Sequence, residues 1–351
     1  MSKSPCVSVV IPAYRHQAFI AEAIDSVLRQ SFNDLELIVI DDGSPDDTAA
    51  VAERALANDP RARLLRQDNA GSHATINRGL SMARGEWVAI LNSDDRYHPD
   101  RLERLLAVAG EAYDFLVSDL RLIDQDGGVV SDPGHWFNTM IEGFRQYARA
   151  DGPVAGLLYG NYTASTSNFF FRRALLDRIG GLREYRYVVD WEFALRAALE
   201  APERFTYLID EPLFDYRLHG ANTILSGALR GGAEIERMQR GILRERFGVP
   251  RALLAAMHRN HRHLRRHWRE LGEQRVERFV RDREADVALL RDALDLESST
   301  RQQEVALLKA KLAEREAALA AREADLAAHK AELAAIHASR SWRYTRILRK
   351  K

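Results

Sequence analysis

The sequence predicts an α/β fold, a mostly parallel sheet flanked by helices, followed by an α-helical region and a long C-terminal helix of coiled-coil character. Three features predict it. Short, unbroken apolar runs alternate with helix-periodic segments over residues 7–91, the pattern of strands covered on both faces and joined by crossover helices. Several of these runs end in acids, as strand ends at a ligand crevice do. Beyond about residue 226 the composition changes, and from 282 to 336 there is neither proline nor glycine.

The first strand is expected over 7–11 (VSVVI), and Pro12, Ala13 and Tyr14 lead from it towards a helix near 19–29. A second strand over 36–40 (ELIVI) ends in Asp41-Asp42-Gly43-Ser44, after which Asp46 or Asp47 caps a helix over 48–57. A strand over 62–66 and a helix over 73–83 repeat the unit and extend a parallel sheet. The strand over 87–91 (WVAIL) then runs into Asn92, Ser93, Asp94 and Asp95, with a proline-started helix beyond Pro99. Paired carboxylates at the end of a buried strand are costly without a cation. Mg²⁺ and Mn²⁺ take oxygen ligands of this kind, commonly together with nucleotide phosphates; the competing reading of Ser93, Asp94 and Asp95 is a turn and a helix start.

Further along, 168–172 (NFFFR) reads as a core strand and 173–179 as a short helix stopped by Gly180 and Gly181. The segment 187–192 (YVVDWE) opens a helix in which Asp190 is either an N-cap or a functional acid. A last strand is expected around Phe214, before 216–223 (YRLHGANT). Asp42, at a strand end, can accept hydrogen bonds from a base N–H or a ribose hydroxyl, whereas Asp41 reads as a turn former. Gly71 and Gly79 admit backbone conformations or helix approaches that a side chain would block. Arg78 and Arg84 are either diphosphate contacts or solvated charges.

As an ordered set, Pro12-Ala13-Tyr14, Asp41-Asp42-Gly43-Ser44, Asn69-Ala70-Gly71, Asn77 with Gly79, Ala83-Arg84-Gly85-Glu86 and Asn92-Ser93-Asp94-Asp95 resemble the inverting nucleotide-sugar glycosyltransferases of family 2, which have the GT-A fold. The resemblance runs from about Cys6 to Thr223. It implies nucleotide contacts from Pro12, Ala13, Tyr14, Asp42, Asn69, Gly71, Asn92, Ser93 and Asp95. It also implies an Mg²⁺ or Mn²⁺ ion held by Asp94 and His219, with Arg217 near a phosphate, and Asp190 as the base that takes the proton of an acceptor hydroxyl. The chain departs from the pattern at Asn92, where many relatives carry aspartate, and at Val189, which stands in place of a glutamate.

The implied reaction moves a sugar from a nucleoside diphosphate, UDP or dTDP, to a hydroxyl of a growing glycan, with inversion by direct displacement. A lipid-linked bacterial surface polysaccharide such as an O-antigen is the expected acceptor class, and loops over 132–161 are expected to read the sugar. Two rivals stand beside this reading. A dinucleotide-binding oxidoreductase would share the sheet, but no G-x-G-x-x-G follows the first strand. A non-catalytic scaffold with a decayed transferase head is the other, suggested by Asn92 and Val189.

The boundaries expected are a transferase domain over 1–225, a helical accessory region over 226–281, a long helix over 282–338 and a basic tail over 339–351. The His/Arg-rich run 258–269 reads as a solvated helix face or a surface against anionic lipid, with no metal assigned. Val305, Leu312, Leu319, Leu326 and Leu333 recur every seven residues, enough for a weak coiled coil that pairs two chains or docks on a partner helix. The tail carries six basic residues and no acid among Trp342, Tyr344, Ile347 and Leu348, as a membrane-surface or partner-docking segment does, and it resembles the ending of many bacterial surface-polysaccharide glycosyltransferases.

A formal net charge of zero argues against nucleic acid as a partner. Cys6 is the only cysteine, so no disulfide framework or cysteine metal site is expected and a reducing compartment suits the chain. Neither a signal peptide nor a spanning segment is read in the sequence, and the expected location is the cytoplasm, with peripheral contact at the inner face of the plasma membrane.

Overall fold

The computed structural model describes residues 4–220, 231–247 and 302–338. Eight strands form one sheet: β1 (Val7–Ala13), β2 (Leu35–Asp41), β3 (Ala62–Arg66), β4 (Trp87–Ile90), β5 (Arg96–Tyr97), β6 (Phe115–Ile123), β7 (Phe170–Arg172) and β8 (Phe205–Arg217), in the order β3-β2-β1-β4-β7-β6-β8-β5. β3, β2, β1 and β4 are mutually parallel. β7 runs antiparallel to both β4 and β6, and β8 is parallel to β6, so β8 points the same way as β1.

The apolar runs are unbroken because both faces of these strands are covered. Side chains alternate across a strand, and in β1 Val7, Val9, Ile11 and Ala13 enter one core while Val10 enters the other. The first core is closed by α1 (Ile20–Leu28), α2 (Thr48–Leu56), α4 (Arg101–Ala109) and the start of α5 (Trp136–Asp151). Ile20, Ala23, Ile24 and Val27 of α1 fall on one stripe at helical spacing; each large aliphatic among them contributes about 1.5–3 kcal/mol by leaving water. The second core is closed by α3 (Ser72–Met82), α6 (Pro153–Tyr159), α7 (Leu175–Ile179) and α8 (Val189–Glu200). Gly79 lets α3 settle onto β1: a Cβ there would lie 2.3 Å from Val10 Cγ1. Gly71 has φ +85° at the entry to α3, a conformation that favours glycine.

Chain order creates the crevice. From β1 the chain steps outward through β2 to β3, then returns to lay β4 on the other side of β1, so the connections leaving the carboxyl ends of β1 and β4 diverge.

Several local expectations change. Asp46 rather than Asp47 serves the start of α2, accepting from the Thr48 N–H at 3.2 Å and the Thr48 hydroxyl at 2.6 Å. β5, β6 and the helices α5 and α6 occupy stretches read as loop or left unassigned, the two helices lying in the segment 132–161 expected to be loop. The first compact unit spans Met1–Gly248. A helix at Gly231–Phe247 puts Met238 and Ile242 into the second core, and Glu234 accepts the backbone N–H groups of Arg186 and Tyr187 at 2.7–3.1 Å.

The second unit contains one described helix, Gln302–Ala338. Among the described residues no helix is long and apolar enough to cross a membrane. The run 258–269, the stretch 282–301, the tail 339–351, and Asn222 and Thr223 lie outside the described residues.

Candidate active site

Every residue expected to hold nucleotide or metal stands at or just past a strand's carboxyl end. Pro12, Ala13 and Tyr14 end β1, Asp42 follows β2, Asn69 and Gly71 follow β3, and Asn92 to Asp95 follow β4. His219 follows β8, which is parallel to β1, so the far end of the chain's sheet delivers its histidine to the same edge.

There the Asp94 carboxylate meets two imidazoles, His219 Nε2 at 3.0 Å and His16 Nε2 at 3.9 Å. One ligand atom from each of the three lies within 4.8 Å of the others. Burial by itself would raise the Asp94 carboxyl, but the His219 hydrogen bond and the charges of His16 and His219 outweigh it and hold Asp94 below the ordinary aspartate range. Asp95 goes the other way. Burial and then the adjacent Asp94 charge lift it well above its ordinary value, against hydrogen bonds from Ser167 Oγ at 2.6 Å and the Arg217 N–H at 2.9 Å. Two neighbouring buried carboxyls, one of which resists ionisation, make a site short of positive charge. A carboxylate between two imidazoles is also a donor set that divalent ions accept, so the residues present fit the metal expected from the sequence.

Asp190 lies in the first turn of α8, with Val188 at the cap position, and is not the N-cap. One carboxyl oxygen accepts the Trp191 N–H at 2.8 Å and the other accepts Asn161 Nδ2 at 2.8 Å. Burial nevertheless pushes its carboxyl up to about 6. Burial, and then the charges of Asp95, Asp94 and Asp190, raise the Tyr216 phenol well above its ordinary value.

One continuous segment, 161–168, hydrogen-bonds to both regions, and sequence reading passed over all of it but its two end residues. Asn161 holds Asp190, Ser165 and Thr166 hold the Asn92 side chain at 2.9 Å each, and Ser167 holds Asp95. The cluster of hydroxyls in TASTSN, just before a strand, was the available signal. His16 was missed too, and nothing in the sequence singles it out before the fold sets it beside Asp94 and His219.

Other assignments gain structural partners. Asp42 accepts Gln67 Nε2 and the Ala70 N–H on one oxygen and the Gly71 N–H on the other, at 2.7–2.9 Å, so three of about four acceptor positions of the carboxylate shape the 69–71 loop. The Asn69 amide donates to the Asp42 carbonyl at 3.0 Å. Ser93 Oγ engages His16 Nδ1 at 2.8 Å. Asn92 spends both ends of its amide on Ser165 and Thr166. Tyr14 is exposed beside the crevice.

Three arginines are corrected. Arg84 grips Glu36 through Nε and Nη2 at 3.0 and 2.8 Å, beside Ser8 at the amino edge of the sheet and away from any strand-end phosphate site. Arg78 donates to Gln67 Oε1 at 2.8 Å and so orders the residue that holds Asp42. Arg217 is buried, donating to the Asp94 carbonyl at 2.8 Å and to the Asp124 and Gln125 carbonyls while pairing with Glu22, which makes it a clamp on the site loop.

With this geometry in hand, the comparisons decide the lineage. A model of glycosyl transferase family 2 matches residues 8–180. Residues 8–180 thus form a glycosyl transferase family 2 domain. Family relatives include EpsH of Bacillus subtilis (strain 168), named as a glycosyltransferase, 29% identical over 223 residues and covering 62% of each chain. The succinoglycan biosynthesis protein ExoO of Rhizobium meliloti (strain 1021) is 40% identical over 129 residues, 36% of each chain. The present chain thus spans 62% of the first relative's length. Among solved structures, Staphylococcus aureus TarS residues 1–349 in complex with UDP-GlcNAc aligns with TM-score 0.52 at 22% identity, over 71% of this chain and 69% of that one. A mannosyltransferase of Pyrobaculum calidifontis in complex with GDP-Man and Mn²⁺ aligns with TM-score 0.52 at 19% identity, over 70% and 66%. These likenesses concern the fold, and the family 2 chain described here has the GT-A architecture.

Proposed function

We propose that this family 2 chain transfers a sugar, with inversion, from a UDP- or dTDP-linked donor to a hydroxyl of a growing, lipid-linked bacterial surface glycan. The observation that carries the reading is a pair of metal-type donors, Asp94 and His219, together with a separate raised carboxyl, Asp190, with the one segment 161–168 hydrogen-bonding to Asp190 and to Asp95 beside Asp94. The family match supports transfer chemistry, and the solved relatives' UDP-GlcNAc, GDP-Man and Mn²⁺ support a nucleotide-sugar donor and a divalent ion.

Asp94 and His219 would hold the ion, which when bound supplies Lewis-acid neutralisation of charge on the departing diphosphate. The loops after β1, β2 and β3 border the crevice in which the nucleotide would lie. Asp190 takes the acceptor proton, and Asn161 fixes the direction of its carboxylate. A panel of nucleotide sugars with Mn²⁺, read as nucleoside diphosphate release with and without glycan acceptors, tests the reading; release from no donor under any condition favours the scaffold.

The pH dependence follows from Asp190. A base accepts a proton only when ionised, so turnover at saturating substrates should fall tenfold per pH unit below about 6 and level off above it. A profile flat between pH 5 and 7.5 would remove Asp190 from the rate-determining proton transfer.

The helix Gln302–Ala338, with its seven-residue leucine repeat, is read as an arm that pairs two copies of the chain. Sedimentation of the full chain should then show a concentration-dependent dimer that the double substitution Leu319→Glu and Leu326→Glu converts to monomer. A wild-type monomer at tens of micromolar would assign the helix to another partner or to a spacer.

A further inference from the structure

We propose that His16 is a third protein ligand of the metal site, so that the chain itself supplies a His-Asp-His set that binds a transition-metal ion without nucleotide and prefers Co²⁺ or Mn²⁺ over Mg²⁺. The inference deepens the reading of Asp94 and His219 as metal holders and rests on it.

His16 reaches the site by a built path. The chain leaving β1 turns at Arg15, a non-glycine residue with φ +57°. Such a left-handed residue costs of order 1 kcal/mol or more and persists where surrounding contacts fix it. Those contacts come from the loop after β2: Ser44 Oγ accepts the Arg15 N–H at 3.1 Å and Thr48 Oγ1 accepts the His16 N–H at 2.9 Å. The ring is held in turn. Its Nδ1 engages Ser93 Oγ at 2.8 Å, its edge meets the His219 ring in a T-shaped contact at 5.5 Å, and Phe19 lies beside both imidazoles. In the tautomer in which Nδ1–H donates to Ser93 Oγ, Nε2 carries the free lone pair, and Nε2 is the atom 3.9 Å from the Asp94 carboxylate. Fixing one ring nitrogen so that the other faces a metal is the usual arrangement of metal-bound histidine.

The distances suit an ion. Ligands about 2.1 Å from a metal lie roughly 3.0 Å apart at right angles and about 3.4 Å apart in a tetrahedron. Asp94 Oδ2 stands 3.0 Å from His219 Nε2 and 3.9 Å from His16 Nε2, and all three ligand atoms lie within 4.8 Å of one another, so closure around an ion needs side-chain rotation that draws the imidazoles inward. Two imidazoles change the expected preference. Mg²⁺ favours oxygen ligands and keeps its waters, whereas nitrogen donors favour Mn²⁺ and, more strongly, Co²⁺ along the divalent series.

The test is metal binding by the full chain without nucleotide: Co²⁺ followed by visible absorption, Mn²⁺ by loss of its free-ion EPR signal, each with a melting-temperature shift. Wild type should bind both ions one to one and give a Co²⁺ spectrum of nitrogen ligation that a large excess of Mg²⁺ does not displace. His16→Ala and His16→Gln should each weaken both ions about tenfold or more, and Ser93→Ala, which removes the partner of Nδ1, should weaken them to a smaller extent. Unliganded melting temperatures and circular dichroism establish that each variant is folded, and the two replacements at His16 guard against failure of either one. No binding to wild type without nucleotide, or unchanged affinity in both folded His16 variants, overturns the inference. If those variants still turn over a donor, the transferase reading stands without it. His16-dependent binding in a protein that turns over no nucleotide sugar keeps the inference and removes the transferase reading.

Discussion

Asp190→Asn is expected to lower sugar transfer about 10²- to 10⁴-fold, the range over which a positioned general base acts, while leaving donor and metal binding near wild type. The two outcomes separate because Asp190 stands on α8 and interacts with Asn161 and Trp191, apart from the Asp94–His219 contact. Asparagine keeps the shape and an oxygen for the Trp191 N–H but cannot take a proton. The folded protein holds the Asp190 carboxyl up at about 6, above its ordinary value of 3.8, so ionising it opposes folding: its contribution is most favourable below the ordinary value and is lost as pH rises through about 6. At neutral pH the variant should therefore melt no lower than wild type unless the donor of Asn161, now facing an amide, cannot turn away. Steady-state kinetics, donor titration and a melting curve on one preparation decide it. Undiminished turnover removes Asp190 as the base, and lost donor binding makes it a binding residue instead.

Asp94→Asn is the second large effect, with turnover falling about 10²- to 10³-fold as charge stabilisation at the leaving group is lost and with Mn²⁺ affinity falling alongside. Asp94 is the only carboxylate in the described His-Asp-His group, and its replacement leaves two imidazoles facing a neutral amide. The substitution also removes the neighbouring charge that helps raise Asp95, so Asp95 should ionise more readily in the variant. Titration of Mn²⁺ against wild type and variant, with kinetics at saturating metal, checks both parts. A variant that keeps full activity in the presence of a chelator would exclude a metal role for Asp94.

Much of this fold is legible in the chain, for a physical reason. Strands covered on both faces must be apolar throughout, so VSVVI, ELIVI and WVAIL announce β1, β2 and β4, and the residues after them mark the crevice. β6 is harder to read because Ser118, Asp119 and Arg121 interrupt it, and each is satisfied by a partner distant in sequence, such as Asn168, Tyr207 or Asp215. The helices α5 and α6 carry small and polar residues among their apolar ones and obtain their order from packing on each other and on the cores.

The site divides in the same way. Acid types at strand ends were readable, because few residues other than ligands or loop formers belong there, yet residue type does not say which of the two a side chain is. Asp42, Asn92 and Arg84 are all committed to protein partners that lie 25 or more residues away. His16 illustrates the converse: a lone histidine in a loop carries no signal until Asp94 and His219 are brought to it by strands β4 and β8.

The central claim is that a metal-holding group and a separate base face one donor pocket. Anomalous diffraction from a crystal of this chain grown with Mn²⁺ and UDP tests it most directly. The account predicts a single strong peak within about 2.3 Å of Asp94 and His219 ligand atoms, with the diphosphate beside it and the Asp190 carboxylate across open space on the side where an acceptor would enter. A peak elsewhere, or a diphosphate end walled off from Asp190 by protein, would contradict it.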